Sequence, residues 1–376
     1  MIQKLSMLAI MTSVVGNAYA GGLEKGPQNT SIIFEEGQYV ELSMSIVKPN
    51  VTGTANVVVP TPGGPEPMSF ESGNVGKNVF NIGLAYKADI DDQWSYAVVY
   101  DQPYEADLAY TSLPYPGAPS SAELESHALT GILKKQLPSN MSVYGGLQAS
   151  SIQGKLNSNP PFPSAGGIPY SVEIDRDYGI GYLIGAAYEK PEIALRTALT
   201  YASETEYKFD TTENSVLGND RKSVTKATMP QSVTLDLQSG IAEDWLAFAT
   251  IRWAEWSEGT IAPIDFTTIE PENRALVDFK GDRWNYTLGL GHRLNETWSI
   301  AGSVIHEPSI DKPMGNLSPK DGFTGYRLGV SYTSGKLNVK TGVQYVEIGD
   351  ATTEGLGAEF TNNSALAAGV KFGWRL

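Results

Sequence analysis

The 376-residue chain contains no cysteine, so neither a disulfide framework nor a thiolate metal site is open to it. Beyond the first fifteen residues no run of about 18 apolar residues occurs, which excludes helical membrane spanning. Histidine is nearly absent: His127, His292 and His306 are too few and too dispersed for a metal-ligand pattern. No G-x-S-x-G nucleophile motif is present. Gly179-Ile180-Gly181 with Gly185 imitates a dinucleotide loop, but it lies in an alternating strand with no helix after it. Such glycines make room for something packed against them. Gly76-Lys77 lacks the glycine spacing and the following Ser or Thr of a phosphate loop. Glu125, Ser126 and His127 are neighbours in a strand and point to opposite faces, so they assemble no triad. The expectation is a protein that is not an enzyme and needs no cofactor. A net charge of −15 also argues against nucleic acid as a partner.

What is present is alternation. Phe80, Ile82, Leu84, Tyr86 and Ala88 are apolar at every second position, and after a short turn Trp94, Tyr96, Val98 and Tyr100 repeat the pattern. Successive strand side chains face opposite sides, so such segments are oily on one face only. Val40 to Ile46, Tyr178 to Tyr188, Val233 to Leu237, Trp284 to Leu290 and Leu366 to Leu376 read the same way. Fourteen strands of bilayer-spanning length emerge, the ninth placed at about Trp245 to Ser257 on its aromatics. The connections alternate long and short. That rhythm predicts an all-β fold: a membrane-spanning antiparallel β-barrel of 14 strands with large loops on one side. All 22 prolines fall outside the proposed strand interiors, as the ladder demands.

Organisation follows from the ends. Lys4, the apolar run Leu5 to Val15 and Ala18-Tyr19-Ala20 form a signal peptide over residues 1–20, cleaved before Gly21. Residues 21–37 are too few for a domain and suit a short N-terminal plug; residues 38–376 make the barrel. A signal peptide with a barrel points to the outer membrane of a Gram-negative cell. Acidic residues gather in connections: Glu204, Glu206, Asp210 and Glu213 in the fourth long loop, Glu270, Glu272 and Asp278 in the fifth. These are expected to be solvated or to hold divalent cations against lipopolysaccharide.

Parity also names the lumen. Opposite the apolar faces stand Glu41, Lys87, Asp101, Arg196, Asp236, Arg327, Lys340 and Lys371, carrying both signs. The third loop, Gly154 to Asp177, holds Pro160, Pro161, Phe162, Pro163, Ile168 and Tyr170; the second, Pro103 to Ala122, adds Tyr104, Leu108, Tyr110, Leu113 and Tyr115. An apolar loop patch of this kind either contacts a ligand or packs as a lid.

The segment Ile33-Phe34-Glu35-Glu36-Gly37-Gln38-Tyr39-Val40-Glu41-Leu42, the following Val51-Thr52-Gly53 and the strand Ile251-Arg252-Trp253-Ala254-Glu255-Trp256-Ser257 carry a resemblance. With the signal peptide and the aromatic-rich last strand, they make the chain similar to the FadL-type outer-membrane transporters of long-chain fatty acids and other hydrophobic molecules. The resemblance implies a fourteen-stranded barrel, an N-terminal hatch in the lumen, a hydrophobic groove among the outer loops and a lateral opening at a kinked third strand. The family's hatch is longer and carries an Asn-Pro-Ala element that Gly21 to Gly37 lacks. On this reading hydrophobic small molecules such as fatty acids are the ligands, and outer-membrane lipid and lipopolysaccharide are the surroundings. Phe162, Ile168, Tyr170 and Tyr110 become contacts for the ligand's apolar part, and Arg196, Arg327 and Lys340 candidates for its carboxylate. A general diffusion porin with acidic outer loops, or an adhesive barrel, would share the fold.

Overall fold

The computed structural model describes residues 23–25, 28–158, 169–270 and 275–376. The signal peptide lies outside the described residues, as do Phe162, Ile168 and Glu272. The fourteen staves are β1 Tyr39–Asn50, β2 Val79–Asp89, β3 Trp94–Asp101 resuming as Glu105–Tyr110, β4 Ser120–Gln136, β5 Met141–Ser158, β6 Tyr170–Lys190 and β7 Leu195–Ala202 resuming as Thr205–Ser215. They continue as β8 Gly218–Met229 with Ser232–Ala242, β9 Trp245–Ala254, β10 Arg283–Arg293, β11 Trp298–Glu307, β12 Phe323–Ser334, β13 Leu337–Ile348 and β14 Asn363–Arg375. Every neighbouring pair is antiparallel, and β14 pairs with β1 from Tyr39↔Arg375 to Asn50↔Ser364, which closes the barrel.

The outside is oily at positions where a soluble protein would be polar. Ile180, Leu288 and Leu328 expose 76, 69 and 67 % of their surface, too much contiguous apolar area for water. Trp94, Trp245, Trp298 and Trp374 stand at the short-turn ends of their staves, and Trp284, Tyr286, Tyr326 and Tyr345 lie nearer the loop ends. These are the two interfacial girdles of an outer-membrane barrel. A one-residue slip in register would turn every one of these side chains inward, so the lipid itself fixes the register. The inward glycines accommodate bulky partners as expected. A Cβ at Gly185 would collide with the Tyr144 ring, whose hydroxyl is held 2.6 Å from Thr200.

Three staves are broken, and each break reverses the parity. Below its break β3 buries Ser95, Ala97 and Val99; above it Leu108 and Tyr110. The same switch runs from Ala198 and Thr200 to Tyr207 and Phe209 in β7, and from Ala227 and Met229 to Ser232 and Thr234 in β8. Pro103 and Pro230 sit in two of these interruptions, where a missing N–H costs no ladder bond.

Several expectations need correction. The fourth long loop does not exist: β7 and β8 run on as a hairpin to a tight turn between Ser215 and Gly218, and Glu213 is fully buried rather than solvated. The second and third loops are shorter than expected because β3, β4, β5 and β6 extend into them. The ninth strand ends at Ala254. Prolines do enter strands: Pro49 lies in β1, and Pro60, Pro65 and Pro67 in an outer hairpin, Gly53–Thr61 with Gly64–Glu71. That hairpin projects mostly exposed residues and pairs with Glu359–Phe360, so its ladder is short enough to tolerate them.

Fourteen staves place both chain ends on one side, and by the usual asymmetry of outer-membrane barrels the short turns are expected to face the periplasm and the loops outward. A membrane-impermeant maleimide should therefore label Leu217→Cys on intact cells and reach Lys336→Cys only after permeabilisation. The opposite pattern would invert the barrel.

Candidate functional site

The lumen is filled in three layers. At the periplasmic level the chain between Gln28 and Gln38 crosses inside the barrel, its 3-10 turn Thr30–Phe34 burying Ile32 and Ile33 against Ala85, Val99, Ile132 and Leu183. Charge fastens this plug. Lys371 lies 2.7 Å from Glu41, Asn29 donates to the same carboxylate at 2.9 Å, and Lys87 donates to the carbonyl of Gly37 at 3.2 Å. Lys340 is buried within the field of Glu35 and Glu41. Paired in this way, wall charges that would otherwise be costly in a dry interior become anchors.

The outermost layer is apolar. Leu124, Ile152, Tyr207, Phe209, Trp256 and Phe360 belong to one buried cluster that gathers the inward faces of the staves with the loops. Tyr110 stacks on Tyr115 at 5.4 Å and donates to the carbonyl of Asn316 at 2.6 Å. Burial alone pushes the Tyr115 phenol up to about 12, so it stays neutral. Tyr170 packs on Phe266 and donates to Glu213 at 2.9 Å. That carboxylate also accepts the backbone N–H groups of Asp265 and Phe266, which docks the short helix Ile264–Ile269 on the β7–β8 hairpin. Tyr110, Tyr115 and Tyr170 are thus buried in the lid, and of the apolar second-loop residues named from the sequence Leu113 is the exposed one.

Between plug and lid lies a cavity of about 280 Å3, near the lower end of the roughly 300–1,000 Å3 usual for small-molecule sites. Arg196 and Arg327 line it; Lys340, Tyr110 and Tyr170 do not. Arg196 donates to the amide oxygen of Gln238 at 3.0 Å and lies 4.7 Å over the Phe34 ring, so its charge meets neutral groups in these contacts. Arg327 donates to Gln344 at 3.0 and 2.7 Å. Arg252, by contrast, is engaged by Glu24 at 2.5 Å and by Ser232 and Thr234.

The cavity reaches the wall where the ladder fails. β2 and β3 pair from Asp89↔Ser95 up to Leu84↔Tyr100 and then part. Above that point β2 pairs only with β1, and the upper half of β3 only with β4. The two edges meet again where Lys77 donates to Asp107 and Ala109 to Val75. What remains between is a window flanked on its lipid side by Phe80 and Leu84, which are 57 and 49 % exposed. Among the described residues one bond spans it, from the Ile82 N–H to the side-chain oxygen of Gln102 at 3.2 Å. Inside, residues 23–25 replace the missing strand: Lys25 donates to the carbonyl of Pro103, Glu105 to that of Leu23, and Glu24 bridges Tyr104. The sequence reading missed Gln102 and Glu24 and placed Tyr104 in an outer-loop patch. Pro103, a proline followed by renewed alternation, was the signal that could have found them.

A family profile described as "Outer membrane protein transport protein (OMPP1/FadL/TodX)" matches residues 15–371. No curated protein matches the chain at the sequence level. Among solved structures, a Pseudomonas aeruginosa FadL homologue is similar with a TM-score of 0.75 at 12 % identity, covering 96 % of this chain and 97 % of that one. The Pseudomonas putida toluene transporter TodX follows at 0.65 and 13 % identity, with 96 and 97 % covered. The Ralstonia pickettii toluene transporter TbuX is similar at 0.65 and 14 % identity over 100 % of both chains. At such identities the likeness establishes the fold.

Removing one partner of a nearly buried ion pair costs up to about 3 kcal/mol. Arg252→Ala should therefore free residues 23–25 from β3, and a spin label on Leu23→Cys should become markedly more mobile. An unchanged spectrum would mean that the backbone bonds alone hold the segment.

Proposed function

The chain belongs to the outer membrane protein transport family (OMPP1/FadL/TodX), β-barrel transporters of hydrophobic compounds rather than enzymes, and we propose that its own cargo is long-chain fatty acids, released sideways into the membrane. The observation that carries this reading is the window between β2 and β3, at the depth of lipid-facing Phe80 and Leu84. A greasy solute crosses the lipopolysaccharide leaflet poorly, and a water-filled pore favours polar solutes. A protein that takes the solute through an apolar lid and lets it out through the wall avoids both barriers.

The lid and plug support this over an open diffusion pore. The apolar cluster occupies the outer mouth and the plug the inner one, so a wide aqueous path is missing among the described residues. Phe162 and Ile168 precede Tyr170 by eight and two positions in sequence and are proposed as apolar contacts for the cargo. Arg196 is proposed to hold the carboxylate, because an unpaired anion in a partly dry cavity is costly and a charge-assisted hydrogen bond offsets that cost. Arg327 is the second choice, and Lys340 would take part only if the plug moves. The TodX and TbuX structures favour a second reading, a monoaromatic cargo, which the small cavity would suit.

Uptake separates the two. In cells relying on this protein, Arg196→Ala should reduce oleate uptake about tenfold, the worth of one charge-assisted bond, and leave toluene uptake nearly unchanged. Small sugars should enter equally with and without the protein. Equal loss of oleate and toluene, or of neither, would remove Arg196 from the site, and toluene uptake alone would favour the second reading.

A further inference from the structure

The window has a polar feature that carboxylate capture leaves unused. Oδ1 of Asp101, Oδ1 of Asn81 and Oε1 of Gln28 line the same cavity, are shut off from solvent and have no hydrogen-bond partner. Their placement is specific. Asp101 follows Tyr100, the last residue of β3 paired to β2, and Asn81 is an inward residue of the opposite edge, two positions above Gly83. Gln28 comes from the plug beneath. All three are acceptors. Nδ2 of Asn81 is directed to Ser45 at 3.4 Å, so its oxygen is the atom left over.

Two cations that line the cavity are committed elsewhere. Arg252 holds Glu24, Lys25 holds Glu105, and Asp101 forms no ion pair among the described residues. A hard metal ion is a poor candidate for the space. It wants about six to eight oxygens with several carboxylates, and among the described residues no three His, Cys, Asp or Glu side chains gather to hold one. An ionised carboxylate has no donor to offer these acceptors. What three unpaired acceptors lack is a donor on an otherwise apolar molecule that fits at a lipid-side opening.

Resting on the transport reading above, we propose that Asp101, Asn81 and Gln28 receive the hydroxyl of a hydroxylated hydrophobic molecule, an alkylphenol or long-chain alcohol, as it passes the window. Arg196 serves an anionic head group from the β7 side of the cavity; the window acceptors serve a neutral donor from the β2–β3 side. Molecules with a hydroxyl then pass in preference to hydrocarbons of the same size, because only they bring a donor, whose one proton passes from acceptor to acceptor along the window.

The test compares uptake of 4-pentylphenol and pentylbenzene, each measured above the rate in cells lacking the protein. The wild type should favour the phenol about tenfold, the worth of one satisfied buried acceptor. Asp101→Leu and Asn81→Leu should each bring the phenol down to the hydrocarbon rate and leave the hydrocarbon unchanged. Heat-modifiable migration reports folding, and Asn81→Leu carries the test if Asp101→Leu does not fold. No preference in the wild type, or a preference that survives in the folded variants, overturns the proposal. If neither compound enters faster than in cells lacking the protein, the transport reading itself has failed.

Discussion

In hydrocarbon no water is available to an unpaired backbone N–H or C=O, and each such group costs several kcal/mol. A barrel meets this demand by bonding every stave to two neighbours, and here closure runs from β1 round to β14 and back. The interruption between β2 and β3 is therefore the feature on which the rest depends. It is compatible with lipid because other groups take over the lost bonds: the Gln102 side chain accepts from Ile82, and residues 23–25 pair with the inner side of Pro103 and Glu105. The wall and the plug are one hydrogen-bonding system. A movement of the plug's first residues would alter the window directly.

The charges of the lumen serve that system in two ways. Glu41 with Lys371 and Glu24 with Arg252 pair barrel wall to wall or wall to plug, and so position the plug under the cavity. Arg196 donates to a neutral amide and lies over an aromatic ring, and it is the cation proposed to meet an entering anion. The outer lid, apolar in bulk, is fastened by buried polar staples such as Glu213 under the helix Ile264–Ile269. An apolar surface held by a few polar contacts can be invaded by an apolar solute without losing its shape.

Much of this was legible in the sequence, because the bilayer imposes a period of two on every stave. Glu41, Lys87, Asp101, Arg196, Asp236, Arg327, Lys340 and Lys371 were assigned to the lumen by parity, and all eight face inward. The outer reach of β7 was misread as an acidic loop, although Tyr207, Phe209 and Thr211 alternate with Glu206, Lys208 and Asp210; two sided chemistry in a segment above the membrane looks the same as a solvated loop until its partner strand is known. The prolines misled for a related reason, since an outer hairpin in water escapes the rule that governs a lipid-embedded ladder. The window was expected only through the family resemblance, as a lateral opening at a kinked third strand, and not from periodicity. Its edges are separated along the chain by the β2–β3 turn on one side and by nearly eighty residues from Leu23 to Gln102 on the other, and no local pattern records which bonds the plug supplies.

The central claim is that cargo leaves through the gap between β2 and β3. The most direct measurement joins cysteines introduced at Ile82 and Gln102 with a short bifunctional maleimide and follows uptake of a hydrophobic substrate. If cargo passes the window, the cross-linked protein loses uptake while either single-cysteine protein, treated identically, retains it. Undiminished uptake through a fully cross-linked barrel would contradict the account and place the exit past the plug.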